Sequence, residues 1–154
     1  MKYHLAVLAV VAITAAPAFA EGDAAKGEVT FKQCQTCHSV VDDAGAVLAG
    51  KGAKVGPNLY GVFGRQIGSL EGFKYGDSIK AVGATGLIWD EALFVKYVQD
   101  PGAFLKETLG DKGAKTKMSF KAKNAEVAAD VYAYLSQFSP APAAADAAAA
   151  TTTP

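Results

Sequence analysis

Cysteine occurs only twice in the 154 residues, as do histidine and methionine, and tryptophan occurs once. Two cysteines cannot build a framework of several disulfides. Nor do they complete a structural zinc site, which takes four ligands and usually a second Cys or His pair. Neither sign of charge is in excess, with 15 basic against 15 acidic residues. That balance excludes the clear basic surplus of a nucleic-acid-binding domain. Internal repeats are missing, as is any sustained alternating run of strand type.

The longest apolar run belongs to the first twenty residues. Lys2 supplies a positive start, "LAVLAVVAITAA" is the apolar stretch, and "AFA" ending at Ala20 is a small-x-small cleavage pattern. This is a secretory signal peptide, too short for a membrane span of about 20 residues. Removal of Lys2 with the leader leaves 14 basic against 15 acidic residues, a net −1. From Ser139 the text "SPAPAAADAAAATTTP" holds no aromatic and no large aliphatic side chain. Such a segment buries too little surface to offset its ordering entropy and is expected to be a disordered tail. The expected organisation is therefore a signal peptide over residues 1–20, one small domain over 21–138 and a tail over 139–154.

Within that domain the periodic segments are helical. Asp23 is a cap for a helix expected over residues 24–37, with Val29 or Phe31 turned inward. Residues 41–69 are glycine-rich without a sustained period, a length that calls for something functional inside the loop. A short helix is expected over 77–82. "WDEALFVKYVQDP" reads as another, capped by Asp90 and stopped at Pro101. "PGAFLKETLG" ends on Gly110. Asn124 caps a last helix whose stripe is Val127, Val131, Tyr134, Leu135 and Phe138. The fold class is all-α with unusually long loops.

The chemistry concentrates in "KQCQTCHSV", residues 32–40. A disulfide, a redox dithiol and a metal site all use paired cysteines. The dithiol reading wants a βαβ context, and none precedes this pair. Beyond the leader, Cys34 and Cys37 are the only cysteines, His38 the only histidine and Met118 the only methionine. C-x-x-C-H is the attachment site of haem c. Two cysteines three apart on helical backbone reach the two vinyl groups on one porphyrin edge, and the next side chain turns under the ring as an iron ligand.

Iron has a second axial position, and no second histidine is available for it. Met118 lies in "AKTKMSF", among lysines and threonine rather than on an apolar stripe. Its two readings are a core filler and a thioether ligand opposite His38, and the polar loop favours the ligand. Ten aromatics are available to line a haem slot: Phe31, Tyr60, Phe63, Phe73, Tyr75, Trp89, Phe94, Tyr97, Phe120 and Tyr134. Pro57 is the candidate carbonyl for the other ring nitrogen of His38. "KGAK" (51–54) and "DKGAKTKMSFKAK" (111–123) are lysine-rich and can form a basic patch on a chain that is not basic overall.

In order along the chain, "CQTCH", "KVGPNLYGVFGRQIG", "GFKYGD", "GLIWDE", "YVQDP", "TKMSF" and "VYAYL" resemble the class I c-type cytochromes, and most closely the cytochromes c2 of purple photosynthetic bacteria. The resemblance covers residues 22 to about 138. It implies a class I cytochrome c fold, short helices and long loops wrapped around one haem c. It implies thioether links at Cys34 and Cys37, axial ligation by His38 and Met118, and a Pro57 carbonyl that holds the histidine. By the same likeness, Arg65, Tyr75 and Trp89 surround the propionates and Tyr97 faces the methionine. Gly27, Phe31 and Tyr134 mark the crossing of the first and last helices. Lys32, Lys117 and Lys121 resemble a basic ring that docks acidic partners. Two departures stand out: Ile79 replaces a buried asparagine of the mitochondrial relatives, and the segment before Met118 is longer than theirs.

The function so implied is a monomeric periplasmic electron carrier, not an enzyme, that shuttles one electron from the cytochrome bc1 complex to the photosynthetic reaction centre. A terminal oxidase is a further candidate acceptor, and no nucleic-acid partner is expected. The rival from another class is a haem enzyme or gas-binding sensor with an openable sixth iron position. Met118 separates the two readings.

Overall fold

A computed structural model describes residues 22–139, so the signal-peptide and tail expectations lie outside the described residues. Five α-helices follow in chain order: α1 Ala24–Phe31, α2 Asp77–Ala84, α3 Glu91–Gln99, α4 Pro101–Leu109 and α5 Ala125–Ser136. A short antiparallel hairpin, β1 Val40–Val41 and β2 Val47–Ala49, interrupts the long loop after α1. That hairpin corrects the expectation of a loop without regular structure. Its strands are only two and three residues long, too short to show a period in the sequence.

Cap residues set the helix starts. The side chains of Asp23, Asp90, Asp100 and Asn124 each accept backbone N–H groups from the first turn of α1, α3, α4 and α5. Gly110 closes α4 in the left-handed region at φ 62°. The first helix is shorter than its pattern predicts. It stops at Phe31, and a separate 3-10 turn over Cys34–Thr36 follows. The expected continuous helix over 24–37 is therefore two pieces. Phe31 is the side chain turned inward, whereas Val29 is 62% exposed.

α1 packs against α5 more closely than side chains of ordinary size allow. A Cβ at Gly27 would overlap the Asp130 carbonyl oxygen and lie 2.8 Å from the Tyr134 Cβ. The facing side of α5 is correspondingly small, with Ala128 and Ala129 buried beside Val131 and Leu135. Phe31 and Tyr134 meet across the contact at 5.4 Å. One carboxylate is buried here: Asp130 accepts the Asp23 backbone N–H at 2.7 Å, so α5 helps to hold the entry of α1. Removing that acceptor breaks a part-buried hydrogen bond to a carboxylate. Asp130→Ala should lower stability by about 1–3 kcal/mol in urea unfolding of the holoprotein. An unchanged midpoint would show the contact to be idle.

Two apolar clusters flank the interior. The larger joins Phe31 and Val40 to Phe94, Val95 and Val98 of α3 and to the inner face of α5. The smaller gathers Ile67, Val82, Phe104, Leu105 and Ala114, so α2 and α4 share it with the long loop. Strand-like pairing of Gln66 with Ile88 brings the Arg65 and Trp89 backbones together, with Trp89 N–H donating to the Arg65 carbonyl at 2.9 Å. Among the described residues, no helix is long and apolar enough to cross a membrane.

Candidate functional site

Between the clusters lies a cavity of about 830 Å³. That is near the upper end of the roughly 300–1,000 Å³ of small-molecule sites. Cys34, Cys37 and His38 line it from one tight turn, in which the Cys37 and His38 N–H groups both donate to the Cys34 carbonyl at 3.0 and 2.8 Å. This turn puts the three side chains on one wall. The cysteines are separate thiols, not a disulfide. Burial, with the neighbouring Cys37 adding to it, pushes the Cys34 thiol up to about 11.

His38 is held by its backbone surroundings. Its Nδ1 lies 2.9 Å from the Pro57 carbonyl oxygen, which can only accept, so Nδ1 carries the proton. Nε2 is left with a free lone pair. Burial lowers the imidazole pKa below its ordinary value, while the Pro57 contact works the other way. A neutral ring of fixed tautomer results, which is what a metal-ligating histidine needs. The ring also excludes any larger residue from the position before Pro57. A Cβ on Gly56 would collide with the His38 Cε1 and lie 2.6 Å from Nδ1.

Met118 lines the same cavity, eighty positions after His38. It arrives on an extended strap, residues 115–121, between two buried alanines, Ala114 and Ala122. Along that strap burial alternates: Thr116, Met118 and Phe120 are half-buried, and Lys115, Lys117, Ser119 and Lys121 are exposed. Thr116 Oγ1 accepts the Met118 N–H at 3.0 Å and is also a partner of the Tyr97 hydroxyl. Burial raises the Tyr97 pKa, against the Thr116 hydrogen bond, so the phenol stays protonated.

Arg65, Tyr75, Trp89 and Tyr97 all line the cavity, as does Pro57, together with Cys34, Cys37, His38 and Met118. Arg65 reaches it by an unanticipated route, with its guanidinium donating to the Asn58 and Tyr60 carbonyls at 2.9 and 3.2 Å. Burial lowers its pKa, the nearby Tyr75 opposing this. The aromatic set divides. Phe73, Tyr75, Trp89, Phe94, Tyr97 and Phe120 line the cavity, while Phe31, Tyr60, Phe63 and Tyr134 do not. Those four pack in the larger cluster, Phe63 against Phe94 and Tyr132 at 5.1 and 4.3 Å. Ile79 also borders the cavity, an apolar wall at the position of the noted departure.

Of the three lysines singled out in the sequence, only Lys117 lies at the mouth. Lys54, Lys74, Lys115 and Lys117 border the cavity; Lys32 and Lys121 do not. Lys121 is instead in an ion pair with Asp100 at 2.7 Å. Lys54 and Lys115 sit in the lysine-rich runs, but only the folded chain tells which members of a run share one rim.

The donor set fits haem c: two thiols and a neutral imidazole on one wall, a thioether on a strap, and an arginine and phenols in the same lining. The cytochrome c2 of Cereibacter sphaeroides is 54% identical over 140 residues, covering 89% of this chain and 97% of that protein. The chain belongs to the cytochrome c2 family. Cytochrome c2 of Rhodobacter capsulatus is 57% identical over 137 residues, covering 88% of this chain and 96% of its own. The solved structure of the Rhodobacter sphaeroides cytochrome c2 superimposes with a TM-score of 0.76 at 54% identity, over 79% of this chain and all of that one. Ferric cytochrome c-550 of Paracoccus versutus gives 0.73 at 52% identity, over 78% of this chain and all of its own. No protein-family model matches the chain. Family membership makes the chain a class I c-type cytochrome with the mostly helical fold of that class, an electron carrier and not an enzyme.

Proposed function

We propose that the chain is a periplasmic carrier of one electron, with haem c bound through Cys34 and Cys37 and ligated axially by His38 and Met118. It takes electrons from the cytochrome bc1 complex and passes them to the photosynthetic reaction centre. The carrying observation is that His38 and Met118, eighty positions apart, line one cavity with the cysteine pair between α1 and the hairpin. When bound, haem iron supplies a one-electron redox centre whose potential a thioether ligand raises. The chain's own residues do the rest. Pro57 orients the imidazole, and Thr116 holds the Met118 backbone. Arg65, Tyr75 and Trp89 offer donors to the propionates. The leader over residues 1–20 supports export, and residues 21–138 form the carrier domain ahead of the tail.

Charge at the mouth supports docking to acidic membrane partners. None of Lys54, Lys74, Lys115 and Lys117 has an ion-pair partner among the described residues. Lys26, Lys80, Lys96 and Lys121, which do have one, lie off the cavity. Positive charge around the mouth is thus left without an ion-pair partner among the described residues, on a chain whose mature net charge is about −1, and it steers approach. Stopped-flow oxidation by isolated reaction centres should slow steeply as salt rises, because steering is screened over about 10 Å at 0.1 M. Lys54→Glu, on the loop before Pro57, should slow association several-fold further at low salt. A rate indifferent to salt would sink the docking assignment.

A further inference from the structure

The strap that carries Met118 has buried anchors only at its ends. Ala114 is 3% exposed in the smaller cluster, and Ala122 donates its N–H to the Val98 carbonyl at 2.8 Å. Between them, the strap backbone has a single hydrogen bond to a side chain of another element among the described residues. The Lys115 N–H donates to Ser78 Oγ at 3.0 Å, across 37 positions of sequence. Ser78 is the second residue of α2, and α2 is itself fixed, with Val82 fully buried and Gly83 pressed against the Ile67 carbonyl. Side chains of the strap add two ties: Lys121 pairs with Asp100 at 2.7 Å next to the Ala122 anchor, and Lys117 reaches the segment before α2. The Lys117 stem lies 3.5–3.7 Å from where a Gly76 Cβ would stand, and its ammonium reaches the Lys74 carbonyl at 3.5 Å. That ammonium contact is long and exposed, so the serine is the geometrically better tie.

We infer that Ser78 is a positioning residue for the sixth iron ligand: its hydroxyl latches the 115–121 strap to α2 and so sets how often Met118 leaves the iron. The inference rests on the proposed Met118 ligation and adds a residue that touches neither iron nor methionine. Strap opening is a local event, because the buried alanines at either end stay in place while the seven residues between them move. Losing one net hydrogen bond from the closed state raises the open population by about three- to tenfold. An external ligand that binds only the open form gains the same factor in apparent affinity.

The test is imidazole titration of the ferric holoprotein, followed at the thioether-to-iron absorption band. Ser78→Ala should bind imidazole about three- to tenfold more tightly than wild type. Its band without imidazole, and its unfolding midpoint, should stay near wild type. Ser78→Thr, which keeps the hydroxyl, should restore wild-type affinity. Equal imidazole affinity in Ser78→Ala and wild type overturns the latch and leaves Met118 ligation standing. Loosening by Ser78→Thr equal to that by Ser78→Ala also overturns it, since the effect would not follow the hydroxyl. A wild-type protein with no thioether band overturns the ligation and the latch together.

Discussion

Gly27→Ala should destabilise the holoprotein by about 3 kcal/mol or more, although the same change in most helices is favourable. Glycine in a helix interior ordinarily costs roughly 0.5–1 kcal/mol relative to alanine, so helix propensity alone predicts a gain. Here the contact decides the sign. The new methyl would overlap the Asp130 carbonyl oxygen, and the Tyr134 Cβ stands 2.8 Å away. Both belong to α5 close to its backbone, so neither can rotate aside as a flexible side-chain tip would. The helices must separate, and separation opens the contact that buries Phe31, Ala128, Val131 and Leu135. Guanidinium unfolding monitored by far-UV circular dichroism measures the loss. Val29→Ala is the control in the same helix: its side chain is 62% exposed, and the change should stay within about 0.5 kcal/mol. Gly27→Ala as stable as wild type would mean that the helices do not approach this closely.

That contact also shows which parts of the fold were legible from residues and which were not. Caps are local, so Asp23, Asp90 and Asn124 announced their helices and the structure has them there. The close approach at Gly27 was legible only through the family resemblance, which paired it with Tyr134 of the last helix, where the structure has it. The break after Phe31 was invisible, because residues 32–37 contain nothing that forbids helix; the turn at Cys34 forms where three side chains must share one wall. Of the candidate site residues, Cys34, Cys37, His38 and Met118 stood out for a different reason, whereas Arg65, Tyr75, Trp89 and Tyr97 came only with the resemblance. Haem attachment needs a short motif, and the scarcity of other cysteines, histidines and methionines left few choices. Of the mouth lysines only Lys117 was singled out, since which of them share a rim depends on loops that meet only in three dimensions. One signal was overlooked. In "KTKMSFK", lysine or serine alternates with Thr116, Met118 and Phe120, and this period of two already placed the methionine on the inner face of an extended strap.

Met118→Leu separates the carrier from the gas-binding alternative. Leucine keeps an apolar side chain of similar volume on the inner face of the strap, so packing should change little. What goes is the only thioether in the described chain. No second histidine stands ready to replace it, since His38 is the only histidine past the leader. The variant should therefore lose the long-wavelength thioether-to-iron band of the ferric protein. Its reduction potential should fall by on the order of 100 mV, within the roughly 0.8 V over which axial ligands set haem potentials. Reduced Met118→Leu should bind carbon monoxide readily, and reduced wild type should not, because the strap occupies the position. Spectroelectrochemistry and a carbon monoxide titration on both proteins read these three outcomes. Rapid carbon monoxide binding by the reduced wild type would favour the gas-binding alternative. An unchanged band and potential in Met118→Leu would remove the methionine from the iron altogether. Met118 is half-buried and packs against the larger cluster, so a methionine that only filled space there would leave both band and potential unchanged on this conservative replacement.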